Sequence, residues 1–134
     1  MINFPEKVLI DSVLYSIKRT DNPIINNRQE CSGEIDYDKA EILISSREDT
    51  LGDGNSASIL MHEIVHAILY ERGMHEETTN ETLVDELAKG FVNFVRMNPK
   101  MIQCIVNTGK MQGTFEDEKS IKDFSLNSLV HIEN

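Results

Sequence analysis

Two histidines and a glutamate stand within one helical turn in Ser58-Ile59-Leu60-Met61-His62-Glu63-Ile64-Val65-His66-Ala67-Ile68-Leu69. Residues four apart on a helix project from one face, so His62 and His66 can aim an imidazole nitrogen at one Zn²⁺. Glu63 lies about 100° round the helix from His62 and reaches the flank of such a site, not the metal itself. There it can take a proton from a zinc-bound water, whose pKa the metal lowers to roughly 7, and deliver it to a leaving amine. The H-E-x-x-H spacing therefore points to metal-assisted hydrolysis with Glu63 as general base. Its bland counterpart is a pair of histidines on an ordinary surface helix.

Such a motif needs a well-packed helix beneath it. Ala57, Leu60, Met61, Ile64, Val65, Ile68 and Leu69 recur at helical spacing, leaving His62 and His66 on a narrow polar strip. Asn55 or Ser56 can cap the start, and Gly73 can close the end in a left-handed conformation. A second helix is expected over residues 78–95, with apolar residues at 84, 87, 88, 91, 94 and 95, ended by Asn98-Pro99. Glu81 and Asp85 share one of its faces, and a carboxylate there can serve as a third zinc ligand, leaving the fourth position for water. Thr78-x-x-Glu81 is equally a capping box, in which Glu81 would only cap its own helix.

Upstream, residues 8–18 read as one bent strand or two short ones, Thr20 to Pro23 as a turn and Asn26 to Glu30 as a loop. Residues 34–37 and 40–45, joined by Asp38-Lys39, read as a β-hairpin whose second strand leads through a loop over 49–55 into the histidine helix. The expected fold class is α+β, a small antiparallel sheet packed on the H-E-x-x-H helix and on the carboxylate-bearing helix. A short third helix is expected over 99–106, capped by Asn98 and stopped before Gly109, with Met101, Ile102, Ile105 and Val106 buried.

With both segments in view, Asn80-Glu81-Thr82-Leu83-Val84-Asp85 following the H-E-x-x-H helix resembles the N-E-x-x-x-D segment of the gluzincin metallopeptidases. The resemblance spans about residues 33–98. It implies a zincin-like catalytic domain, zinc-dependent peptide-bond hydrolysis, Glu81 as third zinc ligand, and Asp85 as hydrogen-bond partner of His62. The metzincin pattern does not fit, because Arg72 stands where its third histidine would fall, and His75 reads as a surface residue. The chain is too short for the second lobe that supplies an oxyanion donor in larger gluzincins. It is more similar to compact minigluzincins and to ImmA/IrrE-like metallopeptidases of phages and mobile elements. Tyr37, Tyr70 and His75 are oxyanion candidates by chemistry alone. An extended peptide could add to the strand Ala40–Ser45. The alternative is a zincin-fold binding module or regulator with weak or no catalysis, and a third reading is hydrolysis of a non-peptide substrate.

With 134 residues, 40% hydrophobic and 27% charged, the chain has the composition of a globular domain. The expected organisation is a catalytic domain over 1–109 and a C-terminal tail over 110–134. That tail carries Leu126, Leu129, Val130 and Ile132 and is either docked or mobile. A formal charge of −10 argues against nucleic-acid backbones and anionic membranes as partners and weakly favours basic ones; a peptide or protein substrate is what the resemblance implies. The N-terminus shows no signal-peptide pattern and no segment is apolar enough to span a bilayer, so a cytoplasmic location is expected. Cys31 and Cys104 then read as free thiols.

Overall fold

The computed structural model describes residues 3–47 and 53–109. The chain divides into two compact units, Met1–Val92 and Asn93–Asn134. The described residues form an α+β arrangement with three α-helices and a small mixed sheet. The tail cluster Leu126, Leu129, Val130 and Ile132, and most of the loop before the histidine helix, lie outside the described residues.

Residues 8–18 form two strands, β1 (Lys7–Ile10) and β2 (Val13–Thr20), joined by a tight turn at Asp11 and Ser12. Asp11 takes a left-handed conformation, φ 51°, as two-residue hairpin turns demand. The polar run from Asn26 to Glu30, expected as a loop, belongs instead to a small hairpin of β3 (Ile24–Asn26) and β4 (Gln29–Cys31). Asn27 and Arg28 both have positive φ there, the signature of a type I′ turn, and asparagine tolerates it cheaply. The predicted hairpin is present as β5 (Gly33–Asp36) and β6 (Glu41–Ser45).

The sheet order is β1-β2-β6-β5, and β6 runs parallel to β2. The sheet is therefore mixed, correcting the expected antiparallel arrangement. The chain leaves β2, passes through the β3–β4 hairpin and returns so that the last strand of the β5–β6 hairpin enters the sheet centre. Central placement suits β6, whose Ile42 and Ile44 are fully buried, because parallel pairs need both flanks covered. A consequence is that β6 has no open edge. The expected strand addition at residues 40–45 is excluded, and β5 is the outer strand on that side.

Tyr15 and Ile17 of β2, with Ile42 and Ile44 of β6, alternate onto one face and pack against Leu60 and Ala67 of α1 (Asp53–Glu71). The Tyr15 hydroxyl donates to Glu71 at 2.6 Å, tying the sheet to the end of that helix. Asn55 and Ser56 fall inside α1, so neither is its cap. Gly73 does close it: φ is 78°, the Met74 N–H donates to the Leu69 carbonyl at 2.8 Å, and the Gly73 N–H to that of Tyr70 at 3.0 Å. This is the Schellman arrangement that glycine permits at least cost.

A second apolar cluster joins Val65 and Leu69 of α1 to Val84 and Ala88 of α2 (Glu81–Met97), with Met61 packed on it. Val84, Ala88 and Val92 are the buried stripe of α2, whereas Leu87, Phe91 and Phe94, expected to be buried, are 43–50% exposed. Ile68 is likewise more than a third exposed. In the second unit, α3 (Pro99–Thr108) runs slightly longer than expected. Asn98 makes no side-chain cap there and donates instead to the Phe94 carbonyl. Met101 and Ile105 are about half exposed, and Gln103 is the buried residue of that helix. Among the described residues, no helix is long and apolar enough to cross a membrane.

Candidate metal centre

His62 and His66 stand one turn apart on α1, their rings edge to face with centroids 4.9 Å apart. What brings a carboxylate to them is the way α2 begins. Asn80 accepts the Leu83 N–H on its side-chain oxygen at 3.1 Å and the Val84 N–H on its carbonyl at 3.0 Å, so Asn80 is the N-cap and Glu81 the first helical residue. A capping box needs its acid at the third helical position. Thr78 lies upstream in a 3-10 turn, Glu77–Thr79, and spends its hydroxyl elsewhere. The Thr78–Glu81 capping box is thus not formed, and the Glu81 side chain reaches across to α1.

It reaches both histidines. Glu81 Oε2 lies 3.1 Å from His62 Nε2, and Oε1 lies 3.3 Å from His66 Nε2. Ligand atoms on a tetrahedral Zn²⁺ with bonds of roughly 2.0–2.1 Å sit about 3.3 Å apart; these separations, one to each Glu81 oxygen, are compatible with a shared ion and equally with the direct His62–Glu81 hydrogen bond. His62, His66 and Glu81 form a group that could hold a metal, with ligand atoms all within 4.8 Å of one another. Two imidazoles and one carboxylate are a donor set that zinc accepts. Among the described residues no fourth His, Cys, Asp or Glu joins this group. The Glu81 side chain is 69% exposed and that of His66 only 8%, so the group opens to solvent on its carboxylate side.

Behind His62, Nδ1 faces Asp85 Oδ1 at 3.5 Å. Asp85 is held by Lys89, one turn on, at 2.7 Å. That hydrogen bond keeps the Asp85 carboxyl below its ordinary range and raises the Lys89 ammonium in turn. Asp85 is therefore a standing negative charge behind His62. Behind His66, Nδ1 lies 3.0 Å from the Thr78 hydroxyl. Burial lowers the His66 pKa, partly offset by the nearby Glu81, so the ring is neutral at neutral pH and has a lone pair to offer a metal.

Glu63 is buried against β5. Burial, then the charges of Glu81 and Glu34, push its carboxyl up to about 8. Gly33 of β5 makes room for it: a Cβ there would stand 3.0 Å from Glu63 Oε1 and 3.0 Å from Ile59. No local pattern in the sequence marks this glycine, because the contact is made between a strand and a helix far along the chain.

These groups line a cleft of about 910 Å³, bounded by Gly33, Glu34 and Ile35 of β5, His62, Glu63 and His66 of α1, and Glu81 and Asp85 of α2. The oxyanion candidates sit otherwise engaged. The Tyr37 ring stacks on Tyr70 at 4.0 Å, Tyr70 stacks on His75 at 4.7 Å, and the Tyr37 hydroxyl meets Thr78 at 3.0 Å. Tyr37 therefore addresses the Nδ1 side of His66, away from the nitrogen that faces Glu81. His75 lies outside the metal-holding group. Cys31 and Cys104 are free thiols.

Comparison of the chain with protein-family models, with curated proteins and with solved structures finds no match.

Proposed function

We propose that the chain is a zincin-like zinc metallopeptidase, hydrolysing peptide bonds at the cleft between β5, α1 and α2. The observation that carries this reading is a buried carboxylate, Glu63, set beside a three-member His62–His66–Glu81 group at an open cleft. Three protein ligands with an accessible remaining position are the pattern of a catalytic zinc site, whereas structural sites are closed by four. A bound Zn²⁺ supplies a Lewis acid that polarises a carbonyl and acidifies water.

The chain's own residues do the rest. His62, His66 and Glu81 hold the ion, and Asp85 orients the His62 ring from behind. Glu63 accepts the proton of the attacking water and returns it to the leaving nitrogen. Beside a held cation, the Glu63 carboxyl is drawn down from the value of about 8 that burial and neighbouring acids give it without metal, so it is charged to take the proton and can still return it. Among the described residues β5 carries no strand on its outer side, so an extended peptide can add there through backbone hydrogen bonds and lie along the cleft. Gly33 keeps that strand's surface low next to Glu63.

Incubating zinc-loaded protein with a diverse peptide library and reading the products by mass spectrometry tests the proposal. Cleavage should appear, stop on adding a zinc chelator and return when Zn²⁺ is restored. An uncleaved library, or cleavage indifferent to the chelator, would refute it.

A further inference from the structure

We propose that Thr78, held by Tyr37, is a positioning residue that sets the proton of His66 on Nδ1 and so leaves the Nε2 lone pair pointing into the metal group. This rests on the reading of His66 as a metal ligand. The buried Thr78 hydroxyl has three partners: His66 Nδ1 at 3.0 Å, the His66 backbone carbonyl at 3.2 Å and the Tyr37 hydroxyl at 3.0 Å. A threonine hydroxyl donates one hydrogen bond and accepts two. Its proton goes to the carbonyl, which can only accept. The other two contacts must then be donated to Thr78, one by the Tyr37 O–H and one by His66 Nδ1–H.

The opposite tautomer breaks the set. With the proton on Nε2, Thr78 would have to donate to Nδ1, and its 3.2 Å contact with the carbonyl would become two oxygens facing each other without a proton. Leaving a buried polar contact unmade costs about 1–3 kcal/mol, which weighs toward Nδ1–H against Glu81 Oε1, an acceptor 3.3 Å from Nε2 that favours the other tautomer until a metal takes up the Nε2 lone pair. Stacking on Tyr70, four residues beyond His66 on α1, keeps the Tyr37 hydroxyl on station. The two histidines are thereby oriented by different chemistry: His62 backs onto the charged Asp85, His66 onto a neutral hydroxyl pair.

The test uses the full chain, metal-free and with zinc alone as probe, in wild type, Thr78→Val, Thr78→Ser and Thr78→Ala. Imidazole ¹⁵N resonances of the metal-free proteins report the His66 tautomer, and competition with a chelator reports zinc affinity. Wild type and Thr78→Ser should populate the Nδ1–H tautomer more than Thr78→Val does. Thr78→Val should lose that preference and bind zinc about 10–100-fold more weakly, and the serine should recover most of the affinity. Thr78→Val with unchanged tautomer and affinity would overturn the inference. Should that variant fail to fold, Thr78→Ala decides: a smaller Nδ1–H population and a weaker affinity support the inference, and no change in either overturns it. Wild-type protein that bound no zinc would contradict the metal site, while the tautomer in metal-free protein would still test this inference alone.

Discussion

Glu63→Gln should lower peptide cleavage by about 10²–10⁴-fold, the usual worth of a positioned general base, while zinc stays bound because Glu63 is outside the ligand group. The amide keeps the shape and hydrogen-bonding reach of the side chain and removes only its capacity to take a proton. The same variant should change how the metal-free protein responds to pH. The folded-state pKa of Glu63 is raised to about 8, so its stabilising contribution is fully present below the unfolded value of roughly 4.3 and is lost as pH rises through about 8. His66, whose pKa is lowered, works in the opposite direction but only below its ordinary value near 6.5. The window from about pH 6.5 to 8.5 therefore belongs to Glu63, and metal-free wild type should lose about 2 kcal/mol across it in urea unfolding. Glu63→Gln should be nearly flat there. Saturating Zn²⁺ should flatten the wild-type profile too, since a cation beside the carboxylate favours its charged form. Equal cleavage by both proteins would remove Glu63 from the mechanism.

The second large effect separates three acids of α2. Glu81→Gln should weaken zinc binding most, because it removes a charged ligand oxygen that lies 3.1 Å and 3.3 Å from the two imidazoles. Asp85→Asn should retain zinc but cost about 10–100-fold in affinity or activity through a less well oriented His62. Its lost pairing with Lys89 is a surface ion pair and adds little. Glu86 lies about 100° further round the helix from Asp85 and is not among the cleft residues, so Glu86→Gln should be nearly silent. Metal loss in Glu86→Gln with retention in Glu81→Gln would assign the wrong face of α2 to the site.

Which parts of this arrangement could be read in the sequence follows from the range of the interactions involved. His62, His66 and the Glu81–Asp85 pair are each set by helical periodicity, which acts over four residues. The ambiguity at Glu81 turned on which residue caps α2, a shift of two residues, from Thr78 to Asn80, that the Asn80 side chain decides. The buried face of α2 was harder, since Val84, Ala88 and Val92 alternate with a second apolar strip, Leu83, Leu87, Phe91 and Phe94. Periodicity marks both strips and does not say which one meets α1. The parallel pairing of β2 with β6 joins residues about 25 positions apart in sequence and leaves no local trace. Thr78 and Gly33 were missed for the same reason: their roles depend on His66 and Glu63, which they meet only once the chain has folded.

His62, His66 and Glu81 form the group that would hold one metal ion. Titrating metal-free protein with Zn²⁺ against a chelating indicator measures this directly, with a His62→Ala, His66→Ala double variant in parallel. Wild type should bind about one Zn²⁺ per chain, releasing it on acidification as the ligands protonate, and the double variant should bind none with comparable affinity. Stoichiometric zinc in the double variant at wild-type affinity would contradict the account.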